Sequence, residues 1–110
     1  MTPEHAAAEA RLQAALATAL DDGWRVPDEP QKHLTAFLTH DSGSWAMFLP
    51  VPPIGLIALI AGREDGRPRQ AEPYTPDLDK NTDLYEWLAS GELTGPAQAM
   101  AASIRNVLKP

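Results

Sequence analysis

The apolar positions of this chain change period along its length. In residues 3–20 they recur at helical spacing, and Ala8, Leu12, Ala15, Leu16, Ala19 and Leu20 share one face. Thr2 can cap this run, Pro3 suits a first helical position where its missing N–H has no partner anyway, and Glu4 favours the positive end of the helix dipole. The run stops at Asp21-Asp22-Gly23, where glycine can adopt the left-handed conformation that closes a helix. Three leucines flanked by alanines make a narrow stripe suited to close approach.

Beyond Gly23 the period shortens. Trp24 and Val26 can begin a short strand before Pro27. His33–His40 (HLTAFLTH), rich in β-branched and aromatic residues and bounded by Pro30 and the turn residues Asp41, Ser42, Gly43 and Ser44, predicts a strand. Trp45–Leu49 predicts its hairpin partner.

From Ser42 to Gly62 there is no charged side chain. A membrane helix needs about 20 unbroken apolar residues. Pro50, Pro52 and Pro53 interrupt this stretch, and a proline inside a helix costs about 3 kcal/mol. What remains is two short pieces, Trp45–Leu49 and Ile54–Ala61, joined by an extended corner. The second has two apolar faces: Leu56, Ala58 and Ile60 on one, Ile57, Leu59 and Ala61 on the other. A strand with one wet face would alternate. Leaving two large aliphatics in water forgoes about 3–6 kcal/mol of burial, so either the strand is central and covered on both sides within the chain, or one face is an interface. Ile57 and Leu59 are the expected partner-facing pair.

Arg63 to Arg67 reads as a turn built on Asp65-Gly66, and residues 68–79, with three prolines, as a loop with an edge strand near Arg69–Glu72. Asn81 or Thr82 can cap a short helix from Asp83 to Ser90 that Gly91 stops. A last helix, Ala97–Leu108, would turn Met100, Ile104, Val107 and Leu108 inward, with Ala97 and Ala101 close by. The expected fold is a single α+β domain over residues 1–110: an N-terminal helix, a three- or four-stranded mainly antiparallel sheet and two C-terminal helices. That order, with the acidic balance, looks like small dimeric secretion chaperones in architecture alone, with no shared motif.

Charge narrows the partners. The 110 residues carry 9 Lys and Arg against 15 Asp and Glu, a net charge of −6. Six carboxylates (Glu72, Asp77, Asp79, Asp83, Glu86, Glu92) face one cation, Lys80, between residues 72 and 92. Nucleic-acid binding through phosphates needs a clustered basic face, so nucleic acid is not an expected partner, nor is a membrane. The absence of cysteine excludes disulfides, thiolate metal sites and cysteine nucleophiles, and suits a cytoplasmic protein. Glu4 and Glu9 stand where a secretory signal would be basic and then apolar. Heavy alanine and proline use suggests a bacterial, GC-rich source.

Asp77, Asp79, Asn81 and Asp83 alternate as the first ligands of an EF-hand calcium loop do. The likeness fails at Thr82, where that loop needs glycine, and at Leu88, where it needs a bidentate glutamate. Helix capping accounts for the same residues. His40-Asp41-Ser42-Gly43-Ser44 holds the residue types of a nucleophilic triad, but neighbours at a strand end are expected to point apart, and no Gly-x-Ser-x-Gly elbow is present. His5, His33 and His40 lack metal-site spacing. Arg63, Arg67 and Arg69 could clamp an anion. Trp24, Trp45 and Trp87 lie in separate segments, and Trp87 and Tyr85 share a helix too short to bury every large residue, which makes both candidates for partner contact.

No cofactor, metal ligand or catalytic residue is therefore expected. The sequence points to a small acidic interaction, adaptor or regulatory protein that contacts itself as a homodimer and another protein. The alternative is a small-molecule-binding domain or minor enzyme with a pocket between the sheet and the C-terminal helices, using Arg63, Arg67 or His40.

Overall fold

The N-terminal periodic run folds as helix α1 (Pro3–Leu20) in a computed structural model of the chain, which describes residues 3–27, 36–64 and 66–109. Thr2, residues 33–35 and Asp65, to which the sequence assigns a cap, part of a strand and a turn, lie outside the described residues. The chain leaves α1 through three consecutive left-handed residues, Asp21 (φ 53°), Asp22 (φ 46°) and Gly23 (φ 91°). The reversal thus starts two residues before the glycine, on aspartates, which tolerate this region better than most side chains.

Five strands follow: β1 (Trp24–Arg25), β2 (Phe37–His40), β3 (Trp45–Val51), β4 (Leu56–Gly62) and β5 (Arg69–Tyr74). They form one antiparallel sheet in chain order. The α+β class and element order agree with expectation, but the strand count is five rather than three or four. Trp24–Arg25 pairs with Thr39–His40, and the proline-containing segment Arg69–Tyr74 pairs along β4.

β3 also runs two residues further than expected, through Pro50. Phe48 directs its N–H toward the β2 side, to the Ala36 carbonyl, and Pro50, two residues on, points its nitrogen the same way. The last described β2–β3 rung is Phe37–Met47, so the missing N–H breaks no described ladder bond. A tight turn at residues 52–55 then joins β3 to β4, with the Ile54 and Gly55 amides donating to the Val51 carbonyl and Gly55 at φ 77°.

One face of the sheet is the core. The rungs Leu38–Ala46–Ala61 and Phe48–Leu59–Ala71 are buried, as is Ile57 beside them. They lie under α1 through Leu12, Leu16 and Leu20, under α2 (Leu84–Ser90) through Leu84 and Leu88, and under α3 (Thr94–Leu108) through Met100 and Ile104. α1 lies over β1 and β2, and α3 over β4 and β5. Val107 and Leu108, expected inward, pack part-buried at the core's end. No helix among the described residues is long and apolar enough to cross a membrane.

Arginines from other elements close all three helix C-termini. Arg105 of α3 donates to the Ala19 (2.9 Å) and Leu20 (2.7 Å) carbonyls of α1, and Arg11 of α1 donates to the carbonyls of Leu88 and Gly91 (3.0 Å) at the end of α2. Arg63 donates to the Leu108 carbonyl and Arg69 to that of Val107 (3.4 Å) at the end of α3. The last carbonyls of a helix lack internal partners and carry its partial negative charge, so a guanidinium there answers both needs.

Two outcomes follow for stability. Arg105→Ala is expected to lower unfolding free energy by about 1.5–3 kcal/mol, the range for hydrogen bonds to a charged group. Arg105→Lys should recover only part of the loss, because an ammonium cannot fork to two carbonyls as a guanidinium does. Urea titration followed by circular dichroism measures both. Ile57→Glu, placing a carboxylate at a fully buried site, is expected to unfold the chain, since an unpaired buried charge costs a large part of the roughly 5–15 kcal/mol that holds a small domain together.

Candidate functional site

The reverse face of the sheet is built by the alternate residues of the same strands. Its rungs are Phe37–Met47–Ile60–Gln70, Arg25–Thr39–Trp45–Gly62, Leu49–Ala58 and Val51–Leu56. All three helices lie on the other side, and these residues are exposed or part-buried except Gly62, which Trp45 covers. Leu49 is 57 % exposed, and Ile54, in the adjoining turn, 69 %. Arg25, at the β1 edge, is the ionisable residue in these rungs and pairs with Asp41; the β3–β4 rungs at the centre carry none. A Cβ on Gly62 would come within 2.8 Å of the Trp45 ring, so the indole lies against the glycine backbone, and it stacks on Phe37 at 5.8 Å between centroids. The aromatic pair is thereby laid along the sheet.

Ile57 and Leu59 are on the opposite, buried side, at 0 % exposure. Their side chains are spent in this chain's own core, and the outward set on β4 is Leu56, Ala58 and Ile60. The sheet edges offer less. β1 is two residues long, and β5 carries Pro73 together with exposed Gln70 and Glu72, which disfavours strand addition.

Tyr85 and Trp87 are part-buried by contacts within the chain. The Tyr85 hydroxyl donates to Glu9 Oε2 at 2.6 Å, and its ring stacks on His5 at 3.9 Å. Burial first, then the hydrogen bond and negative charge of Glu9, push the Tyr85 hydroxyl well above its ordinary value. Trp87 stacks on Tyr74 at 6.2 Å and lies against Gly91, where a Cβ would come 2.9 Å from its Nε1. The two aromatics tie α2 to α1 and β5. Glu9, buried at 4 % exposure, was missed by the sequence reading; its signal is a carboxylate one turn before Leu12, on the apolar stripe of α1.

Arg63, Arg67 and Arg69 do come together, around the end of α3. With Val107 and Leu108 they line a cleft of about 80 Å³, small beside the 300–1,000 Å³ of ordinary ligand pockets. Arg63 and Arg69 already donate to helix carbonyls there, and carbonyl oxygens facing the cleft oppose an anion. Arg67 is exposed at its rim.

A wider open depression of about 260 Å³ is lined by Trp24, His40, Ser42, Ser44 and Lys109, among others. Here the turn does what the sequence reading did not expect: it brings His40 and Ser42 together. His40 Nε2 lies 2.7 Å from the Asp22 carbonyl, which only accepts, so in the neutral ring Nε2 carries the hydrogen. Nδ1 then accepts from the Ser42 amide at 3.0 Å, with Ser42 Oγ at 2.9 Å, and Ser42 Oγ donates to Ser44 Oγ at 3.1 Å. Asp41 pairs with Arg25 instead. The imidazole joins the hairpin turn to the end of α1, and its hydrogen-bonding capacity is taken up in doing so.

In the acidic segment, Asp83 rather than Asn81 or Thr82 caps α2, its Oδ1 accepting from the Glu86 amide at 2.8 Å. Glu92 accepts from the Thr94 amide at 2.7 Å at the start of α3, and the bonds from Thr94 and Gly95 hold its carboxyl below the ordinary range. Among the described residues no three His, Asp or Glu side chains gather as a metal site would require.

Tyr85→Phe is expected to cost about 1–3 kcal/mol by leaving the buried Glu9 carboxylate without this donor. The unfolded chain loses the Tyr85 proton near pH 10.0, whereas the folded chain holds it to higher pH. Tyr85 therefore contributes stability that is complete below pH 10 and lost as pH rises beyond it. Thermal unfolding between pH 8 and 11 should show a steeper fall in the parent than in Tyr85→Phe.

Among the described residues, the outer face of the sheet is the candidate site with no helix packed over it. Compared with known proteins, the chain matches no family model, no curated protein and no solved structure.

Proposed function

We propose that this protein is a non-enzymatic interaction module that works as a homodimer, with an adaptor or regulatory role toward another protein. The observation supporting this reading is the centre of the outer sheet face, β3–β4 rungs free of ionisable side chains on a chain of net charge −6. Contiguous apolar patches on soluble proteins mark interaction surfaces. An acidic chain meets a copy of itself with least repulsion where it has no charge. The acidic stretch 72–92 runs from β5 through α2, and its exposed carboxylates other than the capping Asp83 and Glu92 are the surface offered to a second, different partner. The competing small-molecule reading has less support: the cleft among the arginines is small and its guanidinium groups are largely engaged.

Native mass spectrometry and sedimentation velocity over a hundredfold concentration range test this. The expected result is a species at twice the 11.9 kDa chain mass that carries no additional ligand. A monomer at every concentration, or one retaining a small molecule, overturns the reading.

A further inference from the structure

We infer that the homodimer forms by packing the outer sheet faces of two copies against each other, about a two-fold axis parallel to the strands and between β3 and β4. This rests on the homodimer reading and adds the surface and the geometry.

Three observations lead to it. The central rungs are uncharged, so no like-charge contact arises wherever the two acidic copies overlap there. The edges are poor templates for strand pairing, with two residues in β1 and a proline in β5. The relief of the face is also self-complementary. Leu49 stands highest, at 57 % exposure, and its rung partner on β4 is the small Ala58.

Rotation about an axis along the strands, midway between β3 and β4, exchanges the positions of rung partners. Leu49 of one copy then lies over Ala58 of the other, and Met47 over Ile60. A large side chain meets a small one twice, by symmetry, as an isologous interface requires. The result is a sandwich of two sheets about 10 Å apart.

Strands of this length and spacing give a face of roughly 20 by 20 Å, on the order of 400 Å². Two such faces total about 800 Å², below the roughly 1,200 Å² at which stable interfaces begin and in the range of weak, transient ones, so the dimer should dissociate on dilution.

The test is sedimentation velocity on the full chain and its variants, with circular dichroism melts as the folding control. Leu49→Glu is expected to weaken dimerisation at least tenfold while leaving the melt within a few degrees of the parent, because Leu49 is not part of the core. Leu49→Ala and Ala58→Leu should each weaken it less, and the double variant, which exchanges knob and hole, should recover most of the loss. A dimeric parent whose Leu49→Glu variant is equally dimeric overturns the outer-face assignment and leaves the homodimer reading intact. Loss on Leu49→Glu without recovery in the double variant overturns the axis. A monomeric parent overturns both.

Discussion

Seven successive rungs between β3 and β4, from Trp45–Gly62 to Val51–Leu56, decide which side of the sheet meets the helices. In antiparallel strands, side chains alternate between faces, and a one-residue slip would exchange them all. The pairing is held at one end by the turn at residues 52–55, whose amides converge on the Val51 carbonyl, and at the other by Trp45 lying against Gly62. Once it is set, Phe48, Ile57 and Leu59 must go inward and Met47, Leu49 and Ile60 outward. β2 and β5 inherit the same division through their rungs.

The cations serve the helix layer. In a chain with only 9 Lys and Arg, four arginines reach helix ends from distant elements. Arg105 and Arg11 link the three helices to one another, and Arg63 and Arg69 pin α3 to the turn between β4 and β5. A basic cluster that looks like an anion site in sequence is thereby mostly engaged with backbone carbonyls. The same economy appears on α2, where Tyr85 and Trp87 are held by Glu9, His5 and Tyr74 and contribute to assembly of the fold rather than to an open surface.

Neutralising the ends of the molecule in this way leaves its middle as the unusual feature. The central β3–β4 outer positions are apolar, with no ionisable group and, among the described residues, no helix over them. A surface of this kind is costly in water, and the proposed pairing with a second copy would remove that cost on both chains at once. The indole of Trp45, laid on Gly62 and stacked on Phe37, keeps one end of the face flat.

Much of this was legible in the sequence. Helical spacing located α1 and α3, prolines broke the long uncharged stretch into two strands, and both faces of β4 read as apolar. The alternation also sorted its residues into Leu56, Ala58 and Ile60 against Ile57, Leu59 and Ala61. Which set faces the helices was beyond the sequence, because both sets are apolar and hydrophobicity cannot choose between equals; the β3–β4 register and the placement of α1 and α3 made that choice. The arginine caps and the Tyr85–Glu9 bond join residues 38 to 86 positions apart, and such contacts leave no local period or motif to read. Local chemistry was written in the chain, whereas the identity of the free surface was settled only when three helices had covered the other one.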